Sequence, residues 1–455
     1  MLMRRSRRPT SRLTFPFSQA TDEALCELSG LNPWRKSNSI VMKRRVVVTG
    51  MGLVTPLGKE VDQLWQNVLA GKSGIHRLSL IDPTPFKVQV AGDIPDFHPG
   101  EYCDPKDLKR LDRFTLFAMY AGGKAIEDSG LDFSKEDTFR CGVILGSGIG
   151  GLSEIEVQVE RLLSKGPDRV SPMTIPKLML NAAGGNLSIR YGLRGPNFTV
   201  ATACASATNA MGDAMKTIQY DDADVVITGG TEAAITAMGL SAFQNMRALS
   251  DRNDAPDKAS RPFDIGRDGF VLSEGAGILV FEELEHARAR GAKIYAEVLG
   301  YGASGDAGHI TQPDPAGSGA ARAMSNALRD AKLDPTTMDY INAHGTSTPL
   351  GDKAETVAMK SVYGNHARTV SISSTKGSLG HSLGASGGIE MILTILSVIN
   401  DIVPPTINLD QPDPDCDLNY TPNVPVERTI TTAMNNSFGF GGHNASIICG
   451  KVRSM

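Results

Sequence analysis

The chain has 455 residues, 46 of them basic and 50 acidic, for a formal net charge of −4. With 41% apolar and 21% charged residues it has an ordinary globular composition, which excludes a disordered chain, a coiled coil and a collagen-like chain. No basic excess is present to displace counterions, so no nucleic-acid partner is expected.

In chain order, the first forty residues differ from the rest. Arg4, Arg5, Arg7, Arg8 and Arg12 alternate with Ser6, Thr10, Ser11 and Thr14, and no acid precedes Asp22. An arginine-rich, hydroxyl-rich, acid-poor start is the composition of an organelle transit peptide, and the arginine density favours mitochondrion over plastid. A disordered basic tail has the same composition. We expect residues 1–43 to be presequence and lead, and folded sequence to begin near Arg44. No apolar run approaches the roughly 18–20 residues of a membrane span, so none is expected. Cys26, Cys103, Cys141, Cys204, Cys416 and Cys449 are scattered, with no C-x-x-C pair. That spacing argues against a disulfide framework and a zinc site.

The body begins with Val46-Val-Val-Thr-Gly50, a β-branched run closed by glycine. Such runs predict buried strands at 45–50, 142–146, 223–229, 276–281, 340–343, 370–374 and 445–449. Helix-length segments lie between them at 62–70, 112–129, 206–219, 318–331, 352–362 and 387–398. Alternating strands and helices predict an α/β protein with a parallel or mixed sheet. Glycine-led strands at 275–281 and 442–448 hint at two similar halves, 44–295 and 296–455. Lys106, Lys109, Arg110 and Arg113 cluster before the second helix, where a solvated helix start and a surface for an acidic partner are both readable.

Four segments carry chemistry. In Thr199-Val-Ala-Thr-Ala-Cys204-Ala-Ser, a β-type run ends at Cys204 and a helix follows. A helix N-terminus offers free N–H groups and a positive dipole end, which favour a thiolate and an oxyanion. That dipole moves a thiol by under about one pKa unit, so another polar group is needed. A buried structural cysteine is the competing reading. His344 follows a strand in Asn342-Ala-His-Gly-Thr346-Ser-Thr348, and His381 lies in the glycine-rich loop after Lys376. Sites in open α/β sheets gather beyond the carboxyl ends of strands, where Cys204 and both histidines fall. In Asn435-Asn436-Ser-Phe-Gly-Phe440-Gly-Gly, the glycines allow either backbone approach to a ligand or a hairpin turn.

Together these segments resemble the β-ketoacyl–acyl carrier protein synthases, in the elongating branch with a Cys-His-His site, from about Arg44 to Lys451. The resemblance implies a thiolase fold, two similar βα halves forming a five-layered αβαβα sandwich, commonly a homodimer. It implies decarboxylative condensation of malonyl–acyl carrier protein with an acyl chain held on Cys204, and no required cofactor. By resemblance, His344 and His381 stabilise an enolate, and the N–H groups of Cys204 and Phe440 hold a second oxyanion. Lys376 organises the histidines with Glu355 as its partner, Thr346 and Thr348 contact the pantetheine arm or the malonyl group, Ile149 lines the acyl pocket and Phe440 swings to admit substrate. Asn342, Glu390, Asn435 and Asn436 resemble a structural site for a monovalent cation, potassium or sodium. Leu379 and His443 stand where family members often carry threonine. Thiolases, which act on coenzyme A esters without decarboxylation, are the alternative; their second cysteine is missing from the Gly-Phe-Gly-Gly segment.

Overall fold

The computed structural model describes residues 43–453. The expected presequence and Cys26 lie outside the described residues.

Ten strands form one hydrogen-bonded sheet. They are β1 Val46–Val54, β2 Cys141–Gly146, β3 Asn197–Val200, β4 Val225–Glu232, β5 Gly275–Glu283, β6 Ala296–Gly305, β7 Tyr340–Asn342, β8 Ser371–Ser373, β9 Thr432–Gly439 and β10 His443–Gly450. All seven predicted strands are present. Of the other three, β3 lies in the β-type run read before Cys204 but stops at Val200; β6 and β9 were not anticipated, because glycines in the first and asparagines in the second are poor strand formers.

The sheet runs β8-β7-β9-β10-β6-β1-β5-β4-β2-β3. Read outward from the centre, both sides follow one plan. β1 pairs antiparallel with β5 and β5 antiparallel with β4, while β4–β2 and β2–β3 are parallel. On the other side β6–β10 and β10–β9 are antiparallel, and β9–β7 and β7–β8 parallel. The hinted duplication is therefore a repeated topology. The two units meet edge to edge where Val46 opposes Val298.

Eight helices concern the site: α1 Val61–Leu69, α2 Arg113–Ser129, α3 Leu152–Lys165, α4 Ala182–Tyr191, α5 Ser206–Gln219, α6 Ser318–Ala331, α7 Pro349–Tyr363 and α8 Ser386–Asn400. α2 and α4 cover one outer face and α6 and α7 the other, while α5 and α8 pack together between the units. The layers give a thiolase fold. The apolar run ending in α8 is longer than the sequence reading allowed for. Leu383–Asn400 is long and apolar enough to cross a membrane by length and composition, yet 89% of it is buried inside the fold. A helix packed between the two halves of the sheet must be apolar on every side.

Both units use the same device to bring an outer helix onto the first strand. An added Cβ would lie 2.1 Å from Ala125 O at Gly50 and 2.1 Å from Ala121 O at Gly52. On β6 it would lie 2.5 Å from Ala327 O at Gly300 and 2.2 Å from Ala323 O at Gly302. These distances demand backbone movement. Gly52→Ala should therefore destabilise the protein by about 1–3 kcal/mol in denaturant titration. Gly185→Ala on α4, where an added Cβ meets nothing within 4 Å, should leave stability unchanged or raise it by up to about 1 kcal/mol.

Candidate active site

Cys204 sits in the short turn Ala203–Ala205 between β3 and α5. The turn is sharp, with Ala203 at φ +49°. A left-handed non-glycine residue costs about 1–2 kcal/mol, so the surrounding packing must enforce it. The matching turn Leu383–Ala385 feeds α8 and also opens left-handed, with Leu383 at φ +47°. The two central helices thus start close together, each with its N–H groups aimed at the same region.

The structure brings both predicted histidines to Cys204. His381 Nε2 lies 3.0 Å from Cys204 Sγ, and its Nδ1 is 2.9 Å from Ser386 Oγ in the first turn of α8. The His381 N–H donates to Val271 O at 2.8 Å, which anchors the loop. Phe270 meets its ring edge to face at 5.3 Å. The His344 ring stands 5.3 Å from that of His381 at 84°. One ligand-type atom from each of Cys204, His344 and His381 falls within 4.8 Å of the others. The group opens onto a cavity of about 570 Å³ lined also by Ile149, Thr346, Thr348, Leu383 and Phe440. Thr346 and Thr348 face each other, oxygen to oxygen, at 2.9 Å.

Lys376 requires a correction. It is buried, and its ammonium pairs with Glu390, not Glu355. Glu355 instead accepts from the backbone N–H of His344 at 2.9 Å and of Gly345 at 2.8 Å. It lies on α7 and positions the His344 loop, whereas Glu390 lies on α8, one turn in. Separation in sequence could not rank these two carboxylates.

Burial dominates the titration of all three groups. It pushes the Cys204 thiol up to about 12, opposed by the Lys376 charge and by the N–H groups of Phe440 and Cys204. Burial, followed by the Lys376 charge, holds His344 and His381 well below the ordinary imidazole value of 6.5. Both imidazoles are neutral at pH 7, able to donate or accept one proton each. The Phe440 and Cys204 N–H groups both favour the ionised sulfur, and Phe440 leads a turn whose Gly441 and Gly442 have φ +83° and +73°. Residues 435–444 are therefore a hairpin and part of the site together.

Among the described residues, the buried oxygens without a hydrogen-bond partner include three that lie together behind the site: Asn342 Oδ1, Asn435 Oδ1 and Glu390 Oε2. Asn342 and Asn435 are opposed in the β7–β9 ladder. Such a set of hard oxygen donors fits an alkali cation. Asn436 does not belong to it. Successive strand residues point to opposite faces, and Asn436 accepts from Ser446 Oγ at 2.7 Å and donates to Glu355 Oε1 at 3.3 Å.

The chain belongs to the β-ketoacyl synthase family. Residues 43–287 match its N-terminal domain and residues 295–410 its C-terminal domain. A 3-oxoacyl-[acyl-carrier-protein] synthase 2 of Coxiella burnetii is 49% identical over 410 residues, covering 90% of this chain and 99% of that protein. A β-ketoacyl synthase structure from Burkholderia phymatum superposes with TM-score 0.83 at 36% identity, covering 90% of this chain and all of that one. A ketosynthase solved with its type II polyketide acyl carrier protein superposes with TM-score 0.83 at 35% identity, covering 90% of this chain and 100% of that one.

In this synthase Leu379 is buried in the main apolar cluster, and His443 is exposed at the rim of the turn beside Gly441. Of the basic cluster, Arg113 is committed to Glu274 at 2.6 Å, while Lys106, Lys109 and Arg110 are exposed around a short turn before α2. Sequence reasoning missed Ser386, Phe270 and Glu232. Only Glu232 left a signal, as a carboxylate closing an otherwise uncharged buried strand.

Proposed function

We propose that Cys204, His344 and His381 carry out decarboxylative condensation, lengthening a Cys204-bound acyl chain by two carbons. The observation that carries this reading is the thiol 3.0 Å from one of two buried, neutral histidines at the mouth of an acyl-sized cavity. The relatives' printed names and the solved carrier complex support acyl carrier protein as the partner.

In the first half-reaction the Cys204 sulfur attacks the carrier thioester. The acyl group moves to Cys204, and the Cys204 proton leaves with the carrier thiol. Because the thiol is un-ionised at neutral pH, His381 Nε2 relays that proton. In the second, malonyl–acyl carrier protein loses CO₂ and the bonding pair becomes an enolate. Neutral His344 and His381 donate to its oxygen, each worth about 2.7–4 kcal/mol. The enolate carbon attacks the Cys204 thioester, and the N–H groups of Cys204 and Phe440 hold the oxyanion. Collapse releases the 3-oxoacyl carrier and expels the Cys204 thiolate, which takes a proton from solvent to restore the thiol. Burial, helped by the Lys376 charge, keeps both histidines neutral. Thr346 and Thr348 present hydroxyls to the pantetheine arm, Ile149 walls the acyl pocket and Phe440 gates it. An alkali cation held by Asn342, Asn435 and Glu390 would neutralise their inward oxygens and stiffen the β7–β9–α8 junction.

Radiolabelled malonyl–acyl carrier protein assays check these roles. Cys204→Ala should lose condensation yet still release CO₂, because the histidines act on the malonyl group separately. His344→Ala and His381→Ala should each slow decarboxylation by about 10²–10³. Because both imidazole pKa values are lowered, decarboxylation should stay level as pH falls through 6.5 and decline only well below it. A midpoint at 6.5 would contradict the geometry.

The organellar form rests on the arginine-rich start, which lies ahead of the family match at residue 43. We place the enzyme in the mitochondrial matrix, with plastid as the alternative. A fluorescent protein fused behind residues 1–43 should enter mitochondria; a cytosolic signal refutes import.

The homodimer reading rests on β3, an edge strand with Phe198 exposed, on exposed Ile189 of the neighbouring α4, and on exposed Ile155, Val159 and Leu163 of α3. An open edge with apolar flanks suits antiparallel pairing with a second copy. Sedimentation and melting in KCl and in choline chloride test dimer and cation together. The expected outcome is a dimer in both salts that melts higher in KCl. A monomer refutes the first and equal melting the second.

A further inference from the structure

Glu232, the last residue of β4, is fully buried, and no basic side chain bonds to it among the described residues. Its Oε2 accepts from the N–H of Gly148 at 2.7 Å and of Gly384 at 3.1 Å. Its Oε1 accepts from the N–H of Ile149 at 3.2 Å and from Ser147 Oγ at 3.1 Å. A carboxylate offers about four acceptor sites, and all are taken. Ser147 Oγ in turn accepts from the Gly150 N–H at 3.3 Å. Burial pushes the Glu232 carboxyl up, and these donors pull it back. A buried carboxylate without a cation is costly unless its lone pairs are filled, so the donors and the carboxylate hold each other in place.

The donors come from opposite units. Ser147, Gly148 and Ile149 follow β2 in the first, and Gly384 sits in the turn before α8 in the second. The two loops are at closest approach, since a Cβ on Gly384 would fall 2.4 Å from Gly148 N. Ile149 and Leu383, carried by these loops, both line the cavity and share one apolar cluster with Cys204. We propose that Glu232 is a positioning residue that sets acyl-chain selectivity, its carboxylate bolting the Ile149 and Leu383 walls together beside Cys204. The proposal rests on the acyl-thioester reading of Cys204. An acetyl group on Cys204 is too short to use those walls, whereas a decanoyl chain must lie along them.

Glu232→Gln keeps the shape but turns an amide NH2, which cannot accept, toward N–H donors, and this breaks at least one tether. The assay is full condensation by the intact chain with acetyl and decanoyl primers. The decanoyl-to-acetyl ratio of kcat/KM should fall by about 10-fold or more, chiefly through the decanoyl KM. An equal loss for both primers, as for a merely structural residue, overturns the proposal, and so does an unchanged ratio. If Glu232→Gln fails to fold, Ser147→Ala decides by the same ratio. Removing that one donor should lower it by about 3-fold, and no change overturns the proposal. If the unsubstituted enzyme condenses neither primer, the acyl-thioester reading falls and the proposal with it. If it condenses both, only the ratio is at issue.

Discussion

The packing of α5 against α8 between the two five-stranded units is the constraint on which the rest of the structure depends. Each helix begins at a turn led by a left-handed residue, Ala203 or Leu383. Because the units share one topology, the two turns converge. The nucleophile comes from one turn, and the serine behind its histidine comes from the helix after the other. A thiol, two imidazoles and two oxyanion donors could not gather at one point from a single βα unit. Doubling the unit makes the site, and it also makes the central helices apolar all round.

Electrostatics then sort the polar groups that this packing buries. Lys376 is a buried cation within influence of both histidines and the thiol, and its charge favours neutral imidazole and the ionised sulfur together. Its own partner is Glu390, and removing one member of such a buried pair costs about 3–5 kcal/mol. Glu355 and Glu232 work differently. Each buried carboxylate is cradled by two consecutive backbone N–H groups, those of His344 and Gly345 or of Gly148 and Ile149. The lysine tunes protons, while the two glutamates hold loops.

Much of this was legible in the sequence. The β-branched runs gave seven strands, because burial on both faces selects Val and Ile continuously. Cys204, His344 and His381 were legible because small, glycine-rich loops after strands are needed to bring backbone and substrate together. β6 and β9 were not, since Gly300 and Gly302 answer to the close approach of α6, and Asn435 and Asn436 to buried polar contacts. In both strands tertiary demand overrides local propensity.

The sequence by itself determined the reacting groups and their order along the chain, because a thiol, an imidazole or an ammonium is a property of one residue. Only the tertiary structure decided the partners. Lys376 turned out to face Glu390 on α8 and not Glu355 on α7, and Asn436 to face away from Asn342 and Asn435. The physical reason is that a partner is chosen by distance and direction in space. Helix placement sets the first and the two-residue alternation of a strand sets the second, and neither is written at the residue itself.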